Sequence, residues 1–209
     1  MAEHHFFVTG TDTGVGKTLV CAELLRSAGR QGLRCSGMKP VASGARRGPS
    51  GLRHDDALTL CLASSHPGNY DLVNPYCFEP PVSPHLAASA LGVRIDLLHI
   101  ANCARELSRH CDWLVVEGVG GWRAPLSATL SVSDLALQLQ MPVIMVVGLR
   151  LGCLSHALLT VESIRASGLA FAGWIGSQIE PQMLLLEENL ATLAARIGQP
   201  ALAVLPWQP

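Results

Sequence analysis

The chain has 209 residues, 49% of them hydrophobic and only 15% charged. That is enough apolar material to core one generous domain, and it argues against a mainly disordered chain. Fifteen basic and sixteen acidic side chains leave a net charge of −1, which gives no electrostatic case for nucleic acid or a membrane surface as partner. No uncharged apolar run reaches the ~18 residues a membrane span needs. The opening MAEHHFFVTG lacks a basic stretch followed by an apolar one, so no secretory leader is expected. The cysteines Cys21, Cys35, Cys61, Cys77, Cys103, Cys111 and Cys153 are odd in number and scattered, without a C-x-x-C pair. They read as small buried hydrophobes in a reducing, cytoplasmic setting rather than as a disulfide framework or a zinc site.

In chain order, residues 5–9 (HFFVT) predict a first strand and residues 18–31 an amphipathic helix that stops near Gly32. Residues 35–41 read as a second strand or a strand-to-loop passage. Residues 42–53, rich in Gly, Ser, Pro and Arg, read as a mobile surface loop. A helix is predicted at 56–63. Residues 66–84 contain five prolines and read as largely irregular. A helix follows at 96–109. The continuous apolar runs WLVVE (113–117) and PVIMVVG (142–148) are expected of strands buried on both faces of a parallel sheet. Helices are predicted at 154–166 and 181–197, and strands at 170–175 and 201–205. This alternation predicts an α/β fold, a single doubly wound domain over residues 1–209 with a mostly parallel sheet flanked by helices.

Residues 10–18 read GTDTGVGKT and fit G-x-x-x-x-G-K-[ST], with an apolar strand before and an amphipathic helix after. In that context the pattern is a P-loop rather than a chance glycine-rich turn. Its backbone N–H groups would converge on phosphates, Lys17 would reach the β- and γ-phosphates, and the Thr18 hydroxyl would meet Mg²⁺. Such a site needs a further carboxylate at another strand tip. Glu117 ends WLVVE and precedes Gly118, Gly120 and Gly121, which favours a site over a solvated strand end. Asp55 and Asp56 are second candidates, equally suited to capping the next helix. Lys39, in MKPVASG, is by position either a solvated charge or a group that neutralises an anion.

At this point the chain resembles the dethiobiotin synthetases. The strings GTDTGVGKT, KPVASG, GLR-x-x-DA, NPY-x-F, SPH, DW-x-x-VEG-x-GGW-x-x-PL, PVI-x-VVG, LGC-x-x-HA-x-LT and AGW occur in that family's order, with LPW at 205–207 as a last echo. The resemblance implies a P-loop NTPase-type ligase of biotin biosynthesis. It implies ATP as co-substrate, Mg²⁺ as cofactor, and 7,8-diaminononanoate and CO₂ or bicarbonate as substrates. CO₂ would form a carbamate on one amine, ATP would phosphorylate it to a carbamic–phosphoric anhydride, and the second amine would close the ring.

Carried onto this chain, the resemblance places Gly14, Val15, Gly16, Lys17 and Thr18 on the phosphates. Thr18, Asp56 and Glu117 fall at the metal, and Lys17 and Lys39 on the reacting groups. Thr11, Ser43 and the loop Gly118–Gly121 would line the substrate site, with Gly118, Val119 and Gly120 also meeting the nucleotide. The family is a homodimer, so Gly152 and Cys153 would meet the tail of a substrate bound to the other subunit; a buried core role for Cys153 stays open beside this. Ser177 and Gln178 stand where many members read adenine with an Asn-containing pair, and Leu205, Pro206 and Trp207 belong to the same nucleotide end. Base selectivity therefore stays open between ATP, a relaxed preference and other triphosphates. Three alternatives remain: a related P-loop ligase or amidase, a partner-regulated P-loop ATPase switch, and a non-catalytic paralogue that keeps the fold. The switch proteins carry an extra lysine early in the P-loop, where this chain has Thr11, Asp12 and Thr13.

Overall fold

The computed structural model describes residues 5–208. Its elements are β1 (Phe6–Gly10), α1 (Lys17–Arg30), β2 (Cys35–Met38), β3 (Val41–Ser43), β4 (Arg46–Gly48), β5 (Gly51–Arg53), α2 (Asp55–Ala63), α3 (Tyr70–Val73), β6 (Tyr76–Phe78), α4 (Pro84–Ala90), α5 (Leu97–Ser108), β7 (Trp113–Glu117), α6 (Val132–Leu139), β8 (Val143–Leu149), α7 (Cys153–Ala166), β9 (Phe171–Gln178), α8 (Leu186–Ile197) and β10 (Ala203–Leu205).

Six of the strands form one sheet in the order β10-β9-β8-β1-β7-β2, with parallel pairing throughout. Alternate residues of the central strands point to opposite faces, as the pleat requires. Phe7, Leu114, Val116, Met145 and Val147 join a core under α5, α6 and α7, while Val8, Val115, Ile144 and Val146 join a second core under α1. Burial on both faces is why these strands are continuous apolar runs. From β1 the chain crosses to the edge strand β2, returns to β7 and passes β1 to reach β8, β9 and β10, so the crossovers reverse direction at β1, and ligands of such sheets bind outside the carboxyl ends there. Among the described residues no helix is long and apolar enough to cross a membrane.

Several local expectations need correction. Residues 42–53 are not an irregular loop: β3 pairs with β6, and β4 with β5 forms a tight hairpin turning at Pro49 and Ser50. The second strand stops at Met38 because Pro40 has no N–H to continue the ladder, and β3 leaves for a different partner. The proline-rich stretch contains α3 and β6. Helix α6 adds to the predicted elements, and its start carries a capping signal: the Asp134 carboxylate accepts from the Ser131 N–H at 2.7 Å and the Ser131 hydroxyl at 2.6 Å. Helix α8 begins at Leu186, not at Pro181, after Leu185 adopts a left-handed conformation with φ 53°.

Candidate active site

The carboxyl ends of β1, β2 and β7 open into one cleft of about 700 Å³. The P-loop forms its floor. Helix α1 starts at Lys17, directly after Gly16 takes φ 83°. A Cβ at Gly16 would also lie 2.5 Å from Ser177 Oγ, so the position tolerates glycine alone on two counts. Lys17 is 6% exposed, and its ammonium donates to the Asp12 carbonyl at 2.8 Å. Burial, followed by the charge of nearby Lys39, lowers its pKa to about 8.

Opposite the P-loop stands a charge cluster. The Lys39 ammonium, 3% exposed, lies between two carboxylates: it is 2.7 Å from Asp56 Oδ2 and closer still to Glu117 Oε1. Thr18 Oγ1 donates to the same Glu117 oxygen at 2.9 Å. Burial opposes the charge on Lys39, but Glu117 and Asp56 outweigh it and hold the pKa above the usual lysine range. Burial likewise works against the Asp56 carboxylate, and Lys39 prevails and holds it below its usual value. The Cys21 thiol beneath the P-loop is pushed well above the ordinary range, first by burial and then by Glu117, and is inert as a nucleophile.

These residues fit a magnesium ion. Glu117 is 1% exposed and its Oε2 has no hydrogen-bond partner, which leaves an oxygen free to coordinate. Among the described residues no three His, Cys, Asp or Glu side chains gather as a closed metal cage. Two carboxylates and a threonine hydroxyl suit the hard cation that keeps water and phosphate in its remaining positions.

The backbone of Lys39 is clamped from the proline-rich stretch. Its N–H donates to the Val73 carbonyl at 2.9 Å, and its carbonyl accepts from Asn74 Nδ2 at 2.6 Å. The Tyr70 hydroxyl donates to Asn74 Oδ1 at 3.1 Å and accepts from the His54 N–H at 2.8 Å. Burial pushes the Tyr70 pKa up to about 12, so the hydroxyl keeps the proton it donates. Sequence reasoning missed Asn74, Tyr70 and His54. His54 stands as N-cap of α2, but histidine is not a residue that marks a helix start, so its place gave no signal in the sequence.

The structure gathers Gly14, Gly16, Lys17, Thr18, Lys39, Ser43, Asp56, Glu117, Val119 and Gly120 around the cleft, with Thr13 and the wall Pro81–Pro84 added. Val15 is buried beneath the loop, and the Gly118 N–H donates to the Val8 carbonyl at 2.9 Å, so both shape the site from below. Thr11 lines a neighbouring hollow with Gly121 and Trp122 rather than the cleft itself. Ser177 is buried against Gly16, and Gln178 Oε1 accepts from the Trp207 N–H at 3.1 Å, tying β9 to the segment Leu205, Pro206, Trp207. Gly152 and Cys153 open α7 away from the cleft, and the Cys153 side chain lies in the core.

A family profile described as an AAA domain matches residues 4–209. The chain is 48% identical over 204 residues to the ATP-dependent dethiobiotin synthetase BioD of Xanthomonas euvesicatoria pv. vesicatoria (strain 85-10), covering 98% of this chain and 91% of that one. It is 49% identical over 201 residues to the protein of the same name from Aromatoleum aromaticum (strain DSM 19018 / LMG 30748 / EbN1), covering 96% and 89%. The fold is shared more distantly with MinD in the MinC:MinD cell division complex of Aquifex aeolicus (TM-score 0.62, 15% identity, 99% of this chain, 82% of that one). It is shared also with a ParA family ATPase of Chlorobium tepidum TLS (TM-score 0.58, 11% identity, 99% and 86%). The chain belongs to the ATP-dependent dethiobiotin synthetases, a family of ligases that form C–N bonds.

Proposed function

We propose that this protein closes the ureido ring of dethiobiotin from 7,8-diaminononanoate, CO₂ and ATP, with Mg²⁺ bound by Thr18, Asp56 and Glu117. The observation that carries this reading is the buried Lys39 ammonium between Asp56 and Glu117, facing the P-loop across one cleft that also contains Ser43. When bound, the ion supplies positive charge to the phosphates during transfer.

The chemistry asks for concentrated positive charge. One substrate amine adds to CO₂, losing a proton and giving a carbamate. A carbamate oxygen then attacks the γ-phosphorus, and ADP leaves. The second amine attacks the carbamoyl carbon, and phosphate leaves with the C–O bond while the amine gives up its proton. The second step brings two anions together, and Lys17 and Lys39 are the cations positioned to stabilise them. Ser43 is the polar group of the cleft nearest in sequence to Lys39 that suits the amine or carbamate end. The wall Pro81–Pro84, with half-exposed Val82, suits an alkyl chain. Positioning supplies much of the rest.

A second copy fits this reading. Leu151 is 96% exposed beside Gly152, and Leu159 stands exposed about two turns further on, along α7, an apolar face of the kind proteins cover. In a homodimer the opening of α7 would meet the substrate tail through Gly152 and backbone N–H groups, since the Cys153 thiol is buried. The test is direct: purified protein, 7,8-diaminononanoate, bicarbonate, Mg²⁺ and ATP, with product read by mass spectrometry. Dethiobiotin formed with one phosphate per ring supports the reading. Absence of product from folded protein that binds ATP overturns it. Sedimentation equilibrium tests the dimer.

A further inference from the structure

His54 lines the cleft and has no part in the chemistry above. It is the N-cap of α2, yet histidine is not among the residues that favour that place. Its Nδ1 accepts from the Asp56 N–H at 3.1 Å. Its Nε2 lies 3.1 Å from the Ser43 carbonyl oxygen, the last of β3. A carbonyl only accepts, so Nε2 carries the proton, and a backbone N–H only donates, so Nδ1 is bare. Both partners demand the same neutral tautomer. An ordinary cap such as Asn or Asp would satisfy Asp56 and leave Ser43 unheld. A rigid ring with an acceptor and a donor on separate edges serves both.

We infer that His54 is a positioning residue that sets the metal-side Asp56 and the substrate-side Ser43 in register with each other. Its backbone extends the same frame: the His54 N–H reaches Lys39 through Tyr70 and Asn74. The inference rests on the reading that Asp56 meets the metal and Ser43 the diamine. Each ring nitrogen then governs a separate property, Nδ1 the metal and Nε2 the substrate.

Two variants divide the ring. His54→Asn places a carboxamide oxygen near the position of Nδ1, keeps the Asp56 contact and drops Ser43. His54→Gln reaches the position of Nε2 with a donor, keeps Ser43 and drops the cap. Two quantities are read for each: the KM for 7,8-diaminononanoate, and the affinity of the ATP-analogue complex for Mn²⁺ by electron paramagnetic resonance. His54→Asn is expected to raise KM about five-fold, the size of one neutral hydrogen bond, with Mn²⁺ affinity within about two-fold. His54→Gln is expected to weaken Mn²⁺ about five-fold with KM nearly unchanged. Equal changes in both quantities, or none, overturn the inference, and if His54→Gln does not fold the Asn variant decides alone by the same criterion. Wild-type protein that fails to turn over the diamine refutes the proposed function instead, and the Mn²⁺ titrations then judge His54 by themselves.

Discussion

Strands β2 and β7 run side by side, and a pair of opposite charges sits at each end of them. At their amino ends Arg34 and Asp112 make a two-pronged contact, Nη2 to Oδ1 at 2.6 Å and Nε to Oδ2 at 3.2 Å, with the Arg34 N–H adding a third bond at 3.0 Å. At their carboxyl ends stand Lys39 and Glu117. The amino-end pair is exposed and complete, and its geometry is the better of the two. The carboxyl-end pair is buried, shares its lysine with Asp56, and leaves Glu117 Oε2 without a partner. Good geometry therefore does not mark the functional end. Burial with unused bonding capacity does, because a desolvated oxygen without a partner is costly unless something else uses it.

Substitutions at the two ends should separate sharply. The largest effect is expected for Lys39→Ala, which should lower kcat by about 10²–10³-fold while nucleotide affinity changes little. Phosphate release and nucleotide titration check this, and an unchanged rate would remove Lys39 from the mechanism. Gly16→Ala comes next. Its φ of 83° and the 2.5 Å approach to Ser177 Oγ should cost about 1–3 kcal/mol and weaken nucleotide binding about ten-fold or more. Calorimetry on the folded variant would show it, and wild-type affinity would refute the account of the loop.

A smaller effect concerns protons. Lys17 titrates near 8 because it is buried, so raising the pH from about 7.5 to 9.5 removes its charge. The triphosphate binds the protonated form, so affinity should fall over that range and binding should take up protons. Titration in buffers of different ionisation enthalpy measures the uptake; no uptake near pH 8 would contradict the burial argument. The smallest effect belongs to the amino-end pair. Hydrogen bonds from Arg34 hold the Asp112 carboxyl down to about 2 against an ordinary 3.8. The stability it contributes is present above about pH 4 and is lost as pH falls toward 2. Asp112→Asn should flatten that segment of the stability curve, lower the melting temperature slightly because the pair is exposed, and leave turnover at the wild-type rate.

The contrast also shows why some residues were legible in advance. Lys17, Thr18 and Glu117 announce themselves through a contiguous loop pattern and a carboxylate ending an apolar run. Asn74 and Tyr70 do not, because they act on Lys39 from 35 and 31 positions away through a stretch whose prolines suggest irregular chain. Their signal exists only once β6 pairs with β3 and α3 packs against β2.

The sequence by itself determined the class of fold and the P-loop, and it named Lys17, Thr18, Asp56 and Glu117 as the candidates for phosphate and metal. Those features depend on local order: periodicity along one strand or helix, and glycine where the backbone must curl. Tertiary structure alone decided that Lys39 lies between Asp56 and Glu117, that Thr13 rather than Thr11 faces the cleft, and that His54 spans two sides of it. Each of those depends on which distant backbone atoms come within about 3 Å, a distance set by the packing of separate elements and not by the spacing of residues along the chain.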